Sequence, residues 1–160
     1  MSVWGALAGG VVGTAVISIG FAFGQAAGWS RMDVPLLLGT ALAEDRNRAR
    51  ALGLLLHFGF GLLFALAYAG IFVAVDRAGW LFGMALGAVH AGLVGGALAN
   101  LILPALHPRM GRPWSDARDT PLIEPPGFML LNYGAPTVAL LVVLHLAYGA
   151  IVGGFAAGLS

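Results

Sequence analysis

A chain of 160 residues that is 59% hydrophobic and only 9% charged cannot cover a water-facing globule, because soluble domains carry roughly 25% charged residues. The net charge is +1, the basic residues are all arginine, and no basic cluster is interleaved with aromatics, so nucleic acid is set aside as a partner. Cysteine is absent, which removes disulfides, thiolate metal sites and cysteine nucleophiles together. A mean hydropathy of +0.91 leaves one class, an integral membrane protein partnered by the lipid bilayer.

The first apolar run covers residues 3–29. No Lys or Arg precedes it, so it lacks the basic start of a secretory signal and reads as a retained helix. Gly9, Gly13 and Gly20 give it a smooth strip suited to close helix contact, and Trp4 and Trp29 sit near its ends, where indoles favour the interface. Residues 30–50 follow as a loop. Their apolar centre, 34–38, is far too short to span and is broken by Pro35 and Gly39, so it is expected at the membrane surface or as a shallow re-entrant piece. Asp45 has the chemistry of an N-cap for the next helix.

That second long helix is expected over residues 51–75, which hold no formal charge and one histidine. A bilayer core of ~30 Å needs roughly 20 apolar residues at 1.5 Å each, so this run is long enough to cross. The link at 76–79 is so short that helices two and three should be antiparallel neighbours. Helix three is expected over 80–103 and carries Gly83, Gly87, His90 and Asn100, with Pro104 ending it. Residues 104–135 form the only long polar loop and hold six of the eight prolines. Its stretch PPGFMLLNYG (125–134) is apolar enough to dip back onto the membrane. Helix four runs over 136–158 with Pro136 in its first turn.

The predicted architecture is therefore all-α, a single domain (1–160) forming an integral membrane four-helix bundle. The two long loops hold seven of the eight arginines and the opposite side only Arg77. Basic loops stay in the cytoplasm, which puts both termini outside it. Helices two and four also align on their histidines: HFGFG from His57 and HLAYG from His145 share an aromatic at the fourth place and glycine (Gly61, Gly149) at the fifth. Helices one and three each show a Gly-x-x-x-Gly step, so a tandem duplication of a two-helix unit is expected.

The histidines carry the functional expectations. With helices starting near residues 51 and 137, His57 and His145 lie ~10 Å inside the arginine-side boundary and His90 ~15 Å from the other, so all three could converge. Ionisable groups at membrane depth face the bundle interior and are functional candidates. Three readings stand side by side. The imidazoles could serve as packing glue, each bonding a neighbouring carbonyl or hydroxyl. His57 and His145 could ligate haem b, with Gly61 and Gly149 leaving flat space for the macrocycle. His57, His90 and His145 could instead hold a transition metal or relay protons along a transport path, although no membrane carboxylate accompanies them. Arg46, Arg48, Arg50, His107 and Arg109 form a candidate anion-binding surface, with His107 beside Arg109 suited to a lipid headgroup. Enzymatic chemistry has little support: Ser18, Ser30 and Ser115 lack a nucleophile context, and the acids all lie in loops or at their edges.

The stretches MDVPLLLGT, LLLHFGFGLLFALAY, LPALHPRM, PPGFMLLNYG and LLVVLHLAYGAIVGGF resemble those of a group of small uncharacterised bacterial membrane proteins with four predicted helices. The resemblance covers most of the chain from Met32 onward. It implies a bacterial inner-membrane protein of the same topology and carries no activity or cofactor. The function expected is that of a non-enzymatic accessory or binding subunit, joined to a larger membrane complex or to copies of itself through its glycine-rich faces. A small b-type cytochrome and a histidine-lined transporter are the alternatives.

Overall fold

The computed structural model describes residues 1–110 and 123–158. Ser115, Arg112, Arg118 and the middle of the second long loop lie outside the described residues. The described chain is helical, and four of its helices are long and apolar enough to cross a membrane. They are α1 (Val3–Ala26), α3 (Arg46–Ala74), α4 (Trp80–Leu106) and α5 (Ala135–Gly158), with a short α2 (Val34–Gly39) between the first two.

Local chemistry sets the ends. The Ser2 hydroxyl accepts from Gly5 N and starts α1, which stops at Ala26 rather than Trp29 because Gly28 turns left-handed (φ 74°). The amides of Trp29 and Ser30 then return to the Gly24 carbonyl. The Asp45 carboxylate accepts from Arg48 N at 2.8 Å, so α3 begins at Arg46, five residues before the apolar run itself. Asp33 does the same for α2 through Leu36 N, and Pro35 fits that helix's first turn instead of breaking it.

Pro104 does not end the third long helix. From Val94 to Ile102 the ladder switches to π-helical bonding, and Leu103 N donates to Leu98 O, five residues back. The chain is already off the i−4 register when it reaches Pro104, which relieves the clash of its ring with the carbonyl four residues back, and the helix continues to Leu106. Against the π segment packs the 3₁₀ turn Phe128–Tyr133. Met129 and Leu130 there hold left-handed backbones (φ 52° and 64°), and Met129 lies over Gly95.

The bundle is organised around α5, the last helix in the chain. One of its faces meets α1: a methyl group at Gly5 or Gly9 would press into the backbone near Phe155 and Val152, and Gly13 lies under the Tyr148 ring. Its other face meets α4, where Gly83 and Gly149 lie backbone to backbone and Gly87 meets the His145 carbonyl. Such contacts hold helices together where burying apolar surface offers no advantage over lipid. Helices α3 and α4, joined by the five-residue link 75–79, do not approach in this way. Large rings bridge them instead, Phe72 to Phe82 and Phe64 to His90. A short link thus fixes the direction of the pair but not a close backbone contact; the glycines decide that.

The two long connections occupy one end of the bundle, tied together by Thr137 Oγ1–Ser30 Oγ at 2.8 Å and Arg31 N–Tyr133 O at 3.0 Å. At the other end Ser2 N donates to Ala156 O, and Gly153 packs on the Gly79 carbonyl of the α3–α4 link.

Candidate functional site: the histidine seam and the groove beside it

Three helices contribute a cluster of interior rings. Tyr68 and Phe64 come from one face of α3, His90 from the last α-helical turn before the π segment of α4, and His145 and Tyr148 from adjacent turns of α5. Tyr68 Oη lies 3.4 Å from His90 Nδ1, and the His90 and His145 rings meet edge to face at 4.8 Å. His145 Nδ1–H donates to Leu141 O at 2.8 Å. The Tyr148 hydroxyl donates to the Gly61 carbonyl across the α3–α5 gap. Each of these groups is satisfied inside the protein, and no buried side-chain nitrogen or oxygen among the described residues lacks a partner.

His57 takes a different direction. Its Nδ1 lies 3.1 Å from Ser18 Oγ on α1, and Ser18 also donates to Thr14 O one turn back. The structure therefore brings His90 and His145 together and turns His57 toward α1. Among the described residues no group of three or more His, Cys, Asp or Glu side chains is placed to hold a metal ion.

The space beside Gly61 and Gly149 is taken up by neighbouring helices. At Gly61 an added Cβ would collide with the Thr14 hydroxyl, and at Gly149 with the Gly83 carbonyl. These two glycines admit neighbouring helices. Sequence alone signals small residues next to histidines, and either a cofactor or a helix can use the room.

The Ser18–His57 pair was invisible in the sequence because the two residues lie 39 apart on different helices. It does not make a nucleophile. The backbone amides around Ser18 belong to the ladder of α1, so none is left to stabilise an oxyanion.

Ser18 marks the inner end of a groove of about 350 Å³ between α1, α2 and the start of α3. Phe21, Ala22, Val34 and Leu54 wall it, while Gln25, Asp33 and Arg50 stand at its mouth. Arg50 holds Asp33 through Nε at 2.9 Å and Nη2 at 2.6 Å. A second, wholly apolar hollow of about 530 Å³ lies on the outer side of α3 around Leu55, Gly59 and Leu63.

The expected anion surface divides in two. Arg46 and Arg48 are exposed, and among the described residues neither guanidinium meets an acid. His107 is not on the surface; it is 2% exposed beneath the end of α2. Its Nε2–H donates to Leu37 O at 3.1 Å and its Nδ1 accepts from Arg109 N at 3.2 Å, which selects the neutral ring. Burial lowers its pKa from 6.5, the Leu37 bond opposes that, and Arg109 adds to it. Arg109 donates to Thr40 O, to Ala43 O at 3.0 Å and to Glu44 at 3.1 Å, so it satisfies carbonyls left over at the end of α2. Both residues are spent on a clasp. Across the same end Tyr133 donates to Glu124 O, and burial with the nearby Glu124 charge, against Arg31, pushes its hydroxyl up to about 12.

Compared with protein-family models, curated proteins and solved structures, the chain matches none. What its own geometry defines is a small all-helical protein with four helices of membrane-spanning length and apolarity, compatible with a small membrane protein.

Proposed function

We propose that the chain is a multi-pass protein of the bacterial inner membrane, with both termini outside the cytoplasm, that acts without catalysis as an accessory subunit. The observation that carries this reading is the uneven cover of the four helices. Only 17% of the apolar window of α3 is buried inside the bundle, against 39% for α1 and for α5. On the uncovered side of α3 lie Gly59, Ala67, Gly70 and Ala74, all exposed, and nothing stands within 4 Å of a Cβ at Gly59 or Gly70. Small residues in such a row let another transmembrane helix approach its backbone. The occupant we assign is a helix of a partner membrane protein. The matching HFGFG and HLAYG stretches support a tandem origin for the fold, although Gly61 and Gly149 now serve different contacts.

A photoreactive side chain at Gly70 tests this in native membranes. The expected result is a crosslink to a protein, while the same probe at the exposed Val89 on α4 crosslinks to lipid. Lipid products at both sites would overturn the reading.

A further inference from the structure

We propose that the groove between α1, α2 and α3 holds one anionic phospholipid, its acyl chain along Phe21, Ala22 and Leu54 and its phosphate at Arg46 and Arg50. The inference rests on the chain being a membrane protein. It does not need the partner helix on α3, because that row lies on the other side of the helix.

The two ends of the groove differ chemically. At its mouth Arg50 is fixed from below by Asp33, whose side chain is 14% exposed while that of Arg50 is 43% exposed. The acid thus orients the guanidinium, and Nη1 is left facing outward, since Nε and Nη2 are both on Asp33. Arg46 stands one turn before Arg50, on the same face by helical spacing. The exposed Gln25 amide closes the mouth from α1. Glu44 is drawn off by Arg109, which leaves Arg46, Arg48 and Arg50 against Asp33 and Asp45 at the start of α3, so the balance there is positive. Two arginines beside a helix gap suit a phosphodiester, and they favour a headgroup of net negative charge over one whose own ammonium offsets the phosphate.

Inward the groove runs about 10 Å along α1, from Gln25 to Ser18, by the helical rise. Its walls are apolar. Ser18 at the far end is already bonded to Thr14 O and His57, so it offers no unspent donor to a polar tip. That favours a hydrocarbon tail over a ligand with polar groups at both ends.

The test is native mass spectrometry of the purified protein after exchange into mixed phosphatidylglycerol and phosphatidylcholine of equal chain length. Expected is one retained phosphatidylglycerol. Arg46→Gln should reduce its occupancy about five-fold, the effect of one basic residue near a lipid surface. Ala22→Trp should fill the groove and remove the adduct with the arginines intact; Ala51→Trp does so from the opposite wall, should one variant fold poorly. Retention of both lipids alike, survival of the adduct in both tryptophan variants, or displacement by soluble glycerol phosphate would each overturn the proposal. Release of the protein from membranes by an alkaline wash would instead strike the membrane reading itself.

Discussion

At the scale of single residues, the clasp around His107 makes stability depend on pH. The imidazole accepts from Arg109 N only while Nδ1 is unprotonated, and its pKa is lower in the folded protein than the ordinary 6.5. Between those two values the unfolded chain binds the proton first, so acid favours unfolding. The contribution is fully present above pH 6.5 and is lost as pH falls through the folded value. Thermal unfolding in detergent between pH 8 and pH 5 should therefore show a declining midpoint. His107→Gln, which keeps a donor for Leu37 O and does not titrate there, should flatten that decline; an unchanged slope in the variant would assign it elsewhere. Asp45 could be read as a cap because its partner is three residues away, whereas His107 reaches a carbonyl 70 residues back and looked like a surface group. Local chemistry is legible in a sequence, but long-range partners are not.

At the scale of elements, the glycines separate into those that carry the packing and those that do not. Gly149 lies against the Gly83 carbonyl, and a large side chain there must push α4 and α5 apart. Gly149→Leu is expected to cost about 3 kcal/mol or to abolish folding, since overpacking a tight contact costs ~1–3 kcal/mol even where neighbours can move. Gly92 has open space around it and lies in the same helix as Gly83, so Gly92→Ala should gain up to ~1 kcal/mol from helix propensity alone. Unfolding of the two variants in urea–detergent mixtures checks the contrast; equal effects would refute it. The runs of apolar sequence revealed four long helices, while the end of α1, the start of α3 and the end of α4 lay three to five residues from where those runs stop. They did not reveal which helices touch, because Gly-x-x-x-Gly steps occur on several faces and any two could pair. The π segment escaped for a related reason: Pro104 signals a stop unless the preceding hydrogen bonds have already changed register.

For the whole molecule, the arginines provide the test of orientation. Arg31, Arg46, Arg48, Arg50 and Arg109 stand at the end that carries both long connections, and Arg77 stands at the other. If the proposed topology holds, Arg48→Cys should resist a membrane-impermeant thiol reagent added to intact cells, and Ala78→Cys should react. Labelling of both or neither from outside would break the four-span arrangement. The shared end of the two connections was predictable from helix number and direction. Helix starts and rise gave the depth of His57, His90 and His145 but not their partners: His90 and His145 meet, and His57 bonds Ser18.

The central position of α5 also bears on how the molecule is made. A ribosome delivers α1, α3 and α4 before the one helix that α1 and α4 both clasp. Until Ala135–Gly158 emerges, the glycine grooves of the earlier helices have no backbone to receive. That helix is the keystone, and the nascent chain remains a set of loosely associated helices until it arrives.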